Sequence, residues 1–265
     1  MKTRYRNHSL CFTLSVIFAL SLLAVSSAAA MHQMDQRSVA VGPDGITYII
    51  TQRMDMMGGG MDDRGMELTL YAIAQDDRIL WSYRLEEGEP TAPVVGADST
   101  VYFTHSPMHS AREGDNGSEP GKSKLYAVRG GSLKWSFEFE RGLPSVPALG
   151  PGGTIYITTN CSMMQGNHDS DDMDMCEQNE KVALFALEDR QASAGLLWSR
   201  ELDAMMLSEP AVQVKSATEW TISVSGLSPD NDGMGGGMMM GVPVLFRFRP
   251  DGSFQTIRLG RGGHM

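Results

Sequence analysis

This sequence predicts an all-β fold of four tandem, four-stranded units, and three observations predict it. A segment of about twelve residues recurs four times along the chain. Each copy is followed by an apolar strand, and in three of the four by a strand bearing Trp. No stretch holds a helical period. The 265 residues are 42% hydrophobic and 20% charged, which supplies a sizeable core and excludes a disordered chain.

The first copy reads Val39-Ala-Val-Gly-Pro-Asp-Gly-Ile-Thr-Tyr-Ile-Ile50. It returns as Ala92-Pro-Val-Val-Gly-Ala-Asp-Ser-Thr-Val-Tyr-Phe103, as Val146-Pro-Ala-Leu-Gly-Pro-Gly-Gly-Thr-Ile-Tyr-Ile157, and more loosely at Ala211 to Val224. After a variable insertion come Leu70-Tyr-Ala-Ile73, Leu125-Tyr-Ala-Val128, Leu184-Phe-Ala-Leu187 and Leu245-Phe-Arg-Phe248. A short turn leads to Leu80-Trp-Ser-Tyr83, Leu133-Lys-Trp-Ser-Phe137 and Leu197-Trp-Ser-Arg200. In the fourth copy, Ser253-Phe-Gln-Thr-Ile257, the alignment sets Phe254 where the others have Trp81, Trp135 and Trp198. The units run over about 38–90, 91–144, 145–210 and 211–265, so residues 31–265 are expected to form one domain. β-Branched and aromatic runs separated by Gly, Asp and Pro turns read as four short strands per unit. Such units in tandem look like blades of a β-propeller. One blade cannot bury both of its faces, so neighbours must stack, and the recurring Trp is expected to plug the junction between them.

The pattern resembles the PQQ-like repeat family, the propeller repeats of quinoprotein dehydrogenases and of non-catalytic periplasmic scaffolds. The resemblance rests on Asp44-Gly-x-x-Tyr48, on Lys124-Leu-Tyr-Ala127 and on Gly131-x-Leu-x-Trp135, and spans residues 38–260. It implies a propeller; it does not imply the family's chemistry here. Catalytic members carry more blades than the four counted in this chain, and an adjacent Cys-Cys pair that this chain lacks. PQQ is therefore not expected. Four blades are compatible with a small ring, an open arc, or one half of a larger ring completed by a second copy, a homodimer.

The first thirty residues read as an export signal. Lys2, Arg4 and Arg6 precede an apolar stretch from Leu10 to Val25, and Ala28-Ala29-Ala30 supplies a cleavage pattern, so processing is expected after Ala30. An uncleaved anchor is the alternative, but an apolar core of about 16 residues falls short of the ~20 a span requires. No second run of spanning length follows, so no membrane span is expected in the mature chain, which would be periplasmic or secreted. The full chain carries a formal net charge of -10. Cleavage leaves 19 basic against 32 acidic residues, a net -13. That balance argues against nucleic acid as the main partner and against anionic membrane surfaces. Cys161 and Cys176 remain; they suit a disulfide closing about 15 residues, with ~3 kcal/mol of chain-entropy stabilisation, or a thiolate pair on a soft metal.

The chemistry-bearing pattern is methionine. Met usually fills gaps in a core. Here 14 of the 19 mature methionines avoid the aligned strands and fall in the insertion after the second strand of each unit. The first insertion carries Met54, Met56, Met57, Met61 and Met66 around Gly58-Gly-Gly60 and three Asp. The second carries Met108 between His105 and His109. The third carries Met163, Met164, Met173 and Met175 with His168 and four Asp, and the fourth Met234, Met238, Met239 and Met240 around Gly235-Gly-Gly237. In a propeller, equivalent loops emerge on one face. Thioether sulfur selects Cu(I), and by the same softness Ag(I), over hard ions, and imidazole extends the set to Cu(II). Interleaved Asp draws cations, and Gly lets several sulfurs approach one ion. The clusters resemble the Met-rich segments of periplasmic copper-resistance proteins. Copper buffering or delivery is the expected role. The competing expectation is a non-catalytic scaffold whose Met-rich loops bind a protein partner. Sacrificial oxidant scavenging and a Ca²⁺ cage from Asp169, Asp171, Asp172 and Asp174 are weaker readings. No phosphate loop, Ser-His-Asp grouping or candidate nucleophile is present in the sequence, so an enzyme is the less expected class.

Overall fold

Four antiparallel sheets follow one another along the chain, each made from one sequence repeat. A computed structural model describes residues 39–54, 66–86, 88–107, 122–161, 181–228 and 241–259. The first sheet holds β1 (Val39–Val41), β2 (Thr47–Met54), β3 (Met66–Ile73) and β4 (Ile79–Leu85). The second holds β5 (Glu89–Pro90), β6 (Val94–Val95), β7 (Val101–Ser106), β8 (Lys124–Arg129) and β9 (Ser132–Glu138). The third holds β10 (Leu143–Pro144), β11 (Ala148–Leu149), β12 (Ile155–Asn160), β13 (Ala183–Asp189) and β14 (Ala194–Glu201). The fourth holds β15 (Met206–Leu207), β16 (Ala211–Val214), β17 (Trp220–Ser228), β18 (Val242–Phe248) and β19 (Phe254–Arg258). No α-helix lies among the described residues.

The first strand of a unit is broken in two in the last three sheets, and proline is the reason. Pro93, Pro147 and Pro210 interrupt the edge because a proline has no N–H to give to the ladder. The residue two positions earlier compensates. Thr91, Ser145 and Ser208 donate their own N–H to the carbonyls of Thr104, Thr158 and Ser225 at 2.8 Å. Their hydroxyls then accept the N–H of those same three residues at 3.0, 3.2 and 3.0 Å. Val39 stands where the prolines would be in the first sheet, and there it belongs to the ladder, paired with Ile49.

Alternation along the strands gives the sheets apolar faces, and the buried faces meet pairwise. Tyr48, Ile50, Leu68 and Leu70 of the first sheet cluster with Val101, Phe103 and Val128 of the second. Tyr102, Leu125 and Trp135 cluster with Ile155, Ile157 and Leu187 of the third. Tyr156, Leu184 and Leu202 cluster with Ile222, Val224, Phe246 and Phe248 of the fourth. No hydrophobic cluster among the described residues joins the fourth sheet to the first.

Tryptophan occupies each of the three junctions. In the first three sheets the hairpin between third and fourth strands carries a one-residue register shift, so that Trp81, Trp135 and Trp198 pair with Ala72, Ala127 and Ala186. The small partner leaves room for the indole, which meets the third-to-fourth-strand turn of the next sheet. A Cβ added at Gly131 would lie 3.1 Å from the Trp81 side chain. One added at Gly252 would lie 2.8 Å from the Trp198 ring. Trp198 Nε1 donates to the Pro250 carbonyl at 2.9 Å, and Trp135 Nε1 donates to Asp189 Oδ1 at 2.9 Å. The indoles also lean on Tyr48, Tyr102 and Tyr156 of their own sheets at 5.7, 5.9 and 6.0 Å between ring centres.

The fourth hairpin corrects one expectation. It has no register shift: Phe254 pairs with Phe248, and Gln255 pairs with Arg247. Phe254 therefore corresponds to Ile79, Leu133 and Leu196, and Gln255, not Phe254, takes the tryptophan position. Reading Phe254 as the Trp counterpart assumed a bulge that this hairpin lacks.

Asp189 is the polar centre of the second junction. Besides Trp135, it accepts from Lys134 Nζ at 2.6 Å, from Tyr102 Oη at 2.7 Å and from the Gln191 N–H at 2.8 Å. Burial opposes its ionisation, but these donors outweigh burial and hold its carboxyl below the usual 3.8. Stability from this group is present above the ordinary carboxylate pKa and is lost as pH falls through the depressed native value. Asp189→Asn should therefore narrow the stability gap to wild type as pH drops below 3.8 and leave it constant above pH ~5, read from urea midpoints across pH. In the same assay, Trp135→Ala should cost about 3–5 kcal/mol, while Leu133→Ser, on an exposed position of the same strand, should change stability by less than ~0.5 kcal/mol.

Candidate functional site

The methionine clusters belong to one topological position. The segments 55–65, 108–121, 162–180 and 229–240 each connect the second strand of a sheet to the third, and they lie outside the described residues. Their stems are described. Met54 pairs with Met66, His105 with Lys124, Thr159 with Ala183 and Ser228 with Val242. All four stems thus sit at the same end of the second and third strands, opposite the end that carries the Trp turns.

At two of the three junctions, second to third and third to fourth, neighbouring sheets are fastened at these stems. Thr104 Oγ1 donates to the Ser145 carbonyl at 3.0 Å, and Thr158 Oγ1 donates to the Ser208 carbonyl at 2.9 Å. Asn160 makes a reciprocal pair with Leu207, Nδ2 to carbonyl at 3.0 Å and N–H to Oδ1 at 2.7 Å. Cys161 follows directly, buried and disulfide-bonded, so its sulfur is not a free thiolate. Cys176 lies outside the described residues.

Of the candidate ligands, Met56, Met57, Met61, Met108, His109, Met163, Met164, His168, Met173, Met175, Met234, Met238, Met239 and Met240 lie outside the described residues. Met54 and Met66 are strand residues that end β2 and begin β3, because the ladder runs further than the repeats indicated. His105 is the one candidate whose side chain is described, and it too sits in a strand. It is 3% exposed. Its Nε2 lies 3.2 Å from the Glu86 carbonyl, which can only accept, so the proton is on Nε2. The ring meets Tyr126 edge-on at 6.0 Å. Gly88 makes room for it, since a Cβ there would collide with the imidazole and with the Ser106 carbonyl. Burial, the largest influence, pulls the His105 pKa below the usual 6.5 against the Glu86 carbonyl, which favours the proton. In this arrangement Nε2 is committed to the protein, and only Nδ1 keeps a lone pair. Strand alternation carries the signal for that burial: Val101 and Phe103 are both buried, and His105 continues their row.

Around this stem, Lys124 Nζ lies 3.8 Å from both Glu86 and Glu138. Among the described residues no three His, Cys, Asp or Glu side chains gather in a group able to hold a metal ion. An open concavity of about 830 Å³ is lined by Val39, Ala92, Val146, Leu207, Ser208 and Glu209, from the first-strand regions of all four sheets. Among the described residues no helix is long and apolar enough to cross a membrane.

No family model matches the chain, and no curated protein matches its sequence.

A buried histidine with a depressed pKa makes the native state lose stability as pH falls below 6.5, because the unfolded chain takes the proton first. Replacing it by His105→Gln should flatten that part of the profile, with the wild-type slope between pH 6.5 and 5 absent in the variant when unfolding midpoints are compared.

Proposed function

We propose that this protein is an exported, non-catalytic β-propeller of PQQ-like type that binds Cu(I), with Ag(I) as an equivalent soft ion, for copper buffering or delivery in the periplasm. The observation that carries the reading is the shared position of the methionine clusters. Three sheets carry several Met with Gly, Asp or His in the second-to-third-strand connection and the second sheet carries Met108 beside His109, and the four connections leave equivalent stems. The propeller reading is supported by the stacking of sheet on sheet through Trp and by the concavity that the four first-strand regions line together. The copper is cargo. Thioethers are uncharged, stay available in an oxidising compartment where Cys161 is already bridged, and take Cu(I) in preference to hard ions. A chain rich in Asp and Glu raises the local concentration of cations around those loops and offsets the charge of bound metal.

An anaerobic Cu(I) titration against a coloured competing chelator tests this. The wild type should hold copper against the chelator. A variant with the loop methionines changed to Leu, which keeps bulk and apolarity and removes sulfur, should lose it while keeping the same far-ultraviolet spectrum. Failure of the wild type to compete would overturn the copper reading in favour of a Met-rich docking surface for a protein. Equal competition by the Leu variant would assign the metal to groups other than thioether.

A further inference from the structure

The three internal junctions obey one rule, and the two outer faces of the stack break it in matching ways. The forward face of a sheet, the one turned to its successor, presents Tyr48, Ala72 and Trp81, or their counterparts in the second and third sheets. By strand register the fourth sheet has Ser223, Arg247 and Gln255 at those places. Arg247 and Gln255 are exposed, whereas Ala72, Ala127 and Ala186 are fully buried. Leu245, counterpart of the buried Leu70, Leu125 and Leu184, is half-buried. The rear face shows the same contrast. Val101, Phe103 and Val128 of the second sheet, like Ile155, Ile157 and Leu187 of the third, are wholly buried. Their counterparts in the first sheet, Thr47, Ile49 and Ile73, are only half-buried.

The docking turn completes the pattern. Gly252 has φ +79 in a turn closed by Arg249 N–H to Ser253 carbonyl and Gly252 N–H to Arg249 carbonyl. Asp77 has φ +63 in a turn closed by the same two bonds, between Ala74 and Arg78 and between Asp77 and Ala74. At Gly252 the direction of the missing Cβ leads to the Trp of the preceding sheet. At Asp77 that direction carries a carboxylate instead. Among the described residues the side chains of Arg247 and Asp77 have no hydrogen-bond or ion-pair partner. The forward end of the stack thus pairs Arg247 with Gln255 where the internal sheets pair Ala with Trp, and the rear end places Asp77 where the turns of the second and fourth sheets have the glycine that receives that Trp.

We propose that the forward face of the fourth sheet docks on the rear face of the first sheet in a second copy of this chain, with Arg247 against Asp77. Two copies then close head to tail about a two-fold axis, with two equivalent junctions and no outer face left over. Leu245 meets the half-buried Ile49 and Ile73, and the charge pair sits where an indole lies elsewhere. That exchange keeps the register: Asp77 lies where the second and fourth sheets have Gly131 and Gly252, so the arginine meets a carboxylate where those two internal faces offer a glycine. The proposal is independent of the copper reading, and variants in the methionine loops should leave it untouched.

Sedimentation velocity over a concentration series, on the full exported chain with its disulfide intact, reads the outcome. The wild type should reach twice the mass of one chain, with dissociation favoured by added salt. Arg247→Glu and Asp77→Arg should each raise the dissociation constant about tenfold or more, and the double variant should recover the wild-type value. Both positions are exposed in the single chain, so circular dichroism should be unchanged throughout. A wild type that stays at the mass of one chain at every concentration overturns the proposal. So does a dimer indifferent to both charge reversals, and so does a monomer whose thermal stability falls in the single variants and returns in the double, since that contact would lie within one chain.

Discussion

An indole lying against the hairpin turn of the next sheet is the contact on which the rest of this structure depends. Each sheet alone offers apolar surface to water. Stacking removes that cost, but only if successive sheets stop in one register, and apolar burial is non-directional. The Trp supplies the direction. Trp81, Trp135 and Trp198 each reach across to the turn that joins the third and fourth strands of the following sheet. A one-residue shift in the hairpin aims the ring, a small residue opposite makes space for it, and at two of the three junctions a glycine at positive φ receives it. The middle junction replaces glycine by hydrogen bonding: Asp189 takes the indole N–H together with Lys134 and Tyr102. The same place is thus filled by packing against glycine in two cases and by a half-buried charged network in the third.

Most of this order can be read in the residues themselves. The four repeats, the strand-rich units and the role of Trp as a plug follow from Leu-Tyr-Ala and Trp-Ser recurring in step, because a packing contact that must be made three times leaves three copies of its residues. Other features carry no repeat to read. The split first strand depends on proline lacking an N–H, which Thr91, Ser145 and Ser208 then answer with hydroxyls; the Ser/Thr-x-Pro pattern was in plain view but is a local hydrogen-bond device, not a periodic one. Phe254 misled because an aromatic at roughly the right place outweighs a single missing residue in any alignment, and the absent bulge is visible only in the pairing of Arg247 with Gln255. His105 looked like part of a ligand cluster by its neighbours in sequence. Its place in the row Val101, Phe103, His105 makes it a core residue by its neighbours in space.

The two ends of the strands answer to different constraints. At one end, the turn of each third strand must receive an indole or a hydrogen-bonded substitute, so its length and residues are tied to the neighbour's. At the other end, the connection from second to third strand begins beyond the last ladder pair. There, at the second and third junctions, the sheets are fastened by Thr104, Thr158 and Asn160, whose bonds run to backbone carbonyls and an N–H of the adjoining sheet. Nothing in that fastening specifies what the connection contains.

One residue type accumulates in the connections from second to third strand. A sequence under core constraints cannot place several methionines beside glycines and aspartates, because the glycines would loosen the ladder and the aspartates would have to be paired. Between Met54 and Met66, and between Ser228 and Val242, the sequence places Met beside Gly and Asp, and Met returns in the connection of every unit although the lengths differ. Recurrence inside the sheets is explained by stacking. Recurrence outside them is not, because no described contact between sheets requires a thioether. A residue type repeated at an equivalent position of all four units, which no described contact between sheets calls for, is the observation on which the proposed soft-ion chemistry rests, since thioether sulfur prefers soft ions to hard ones.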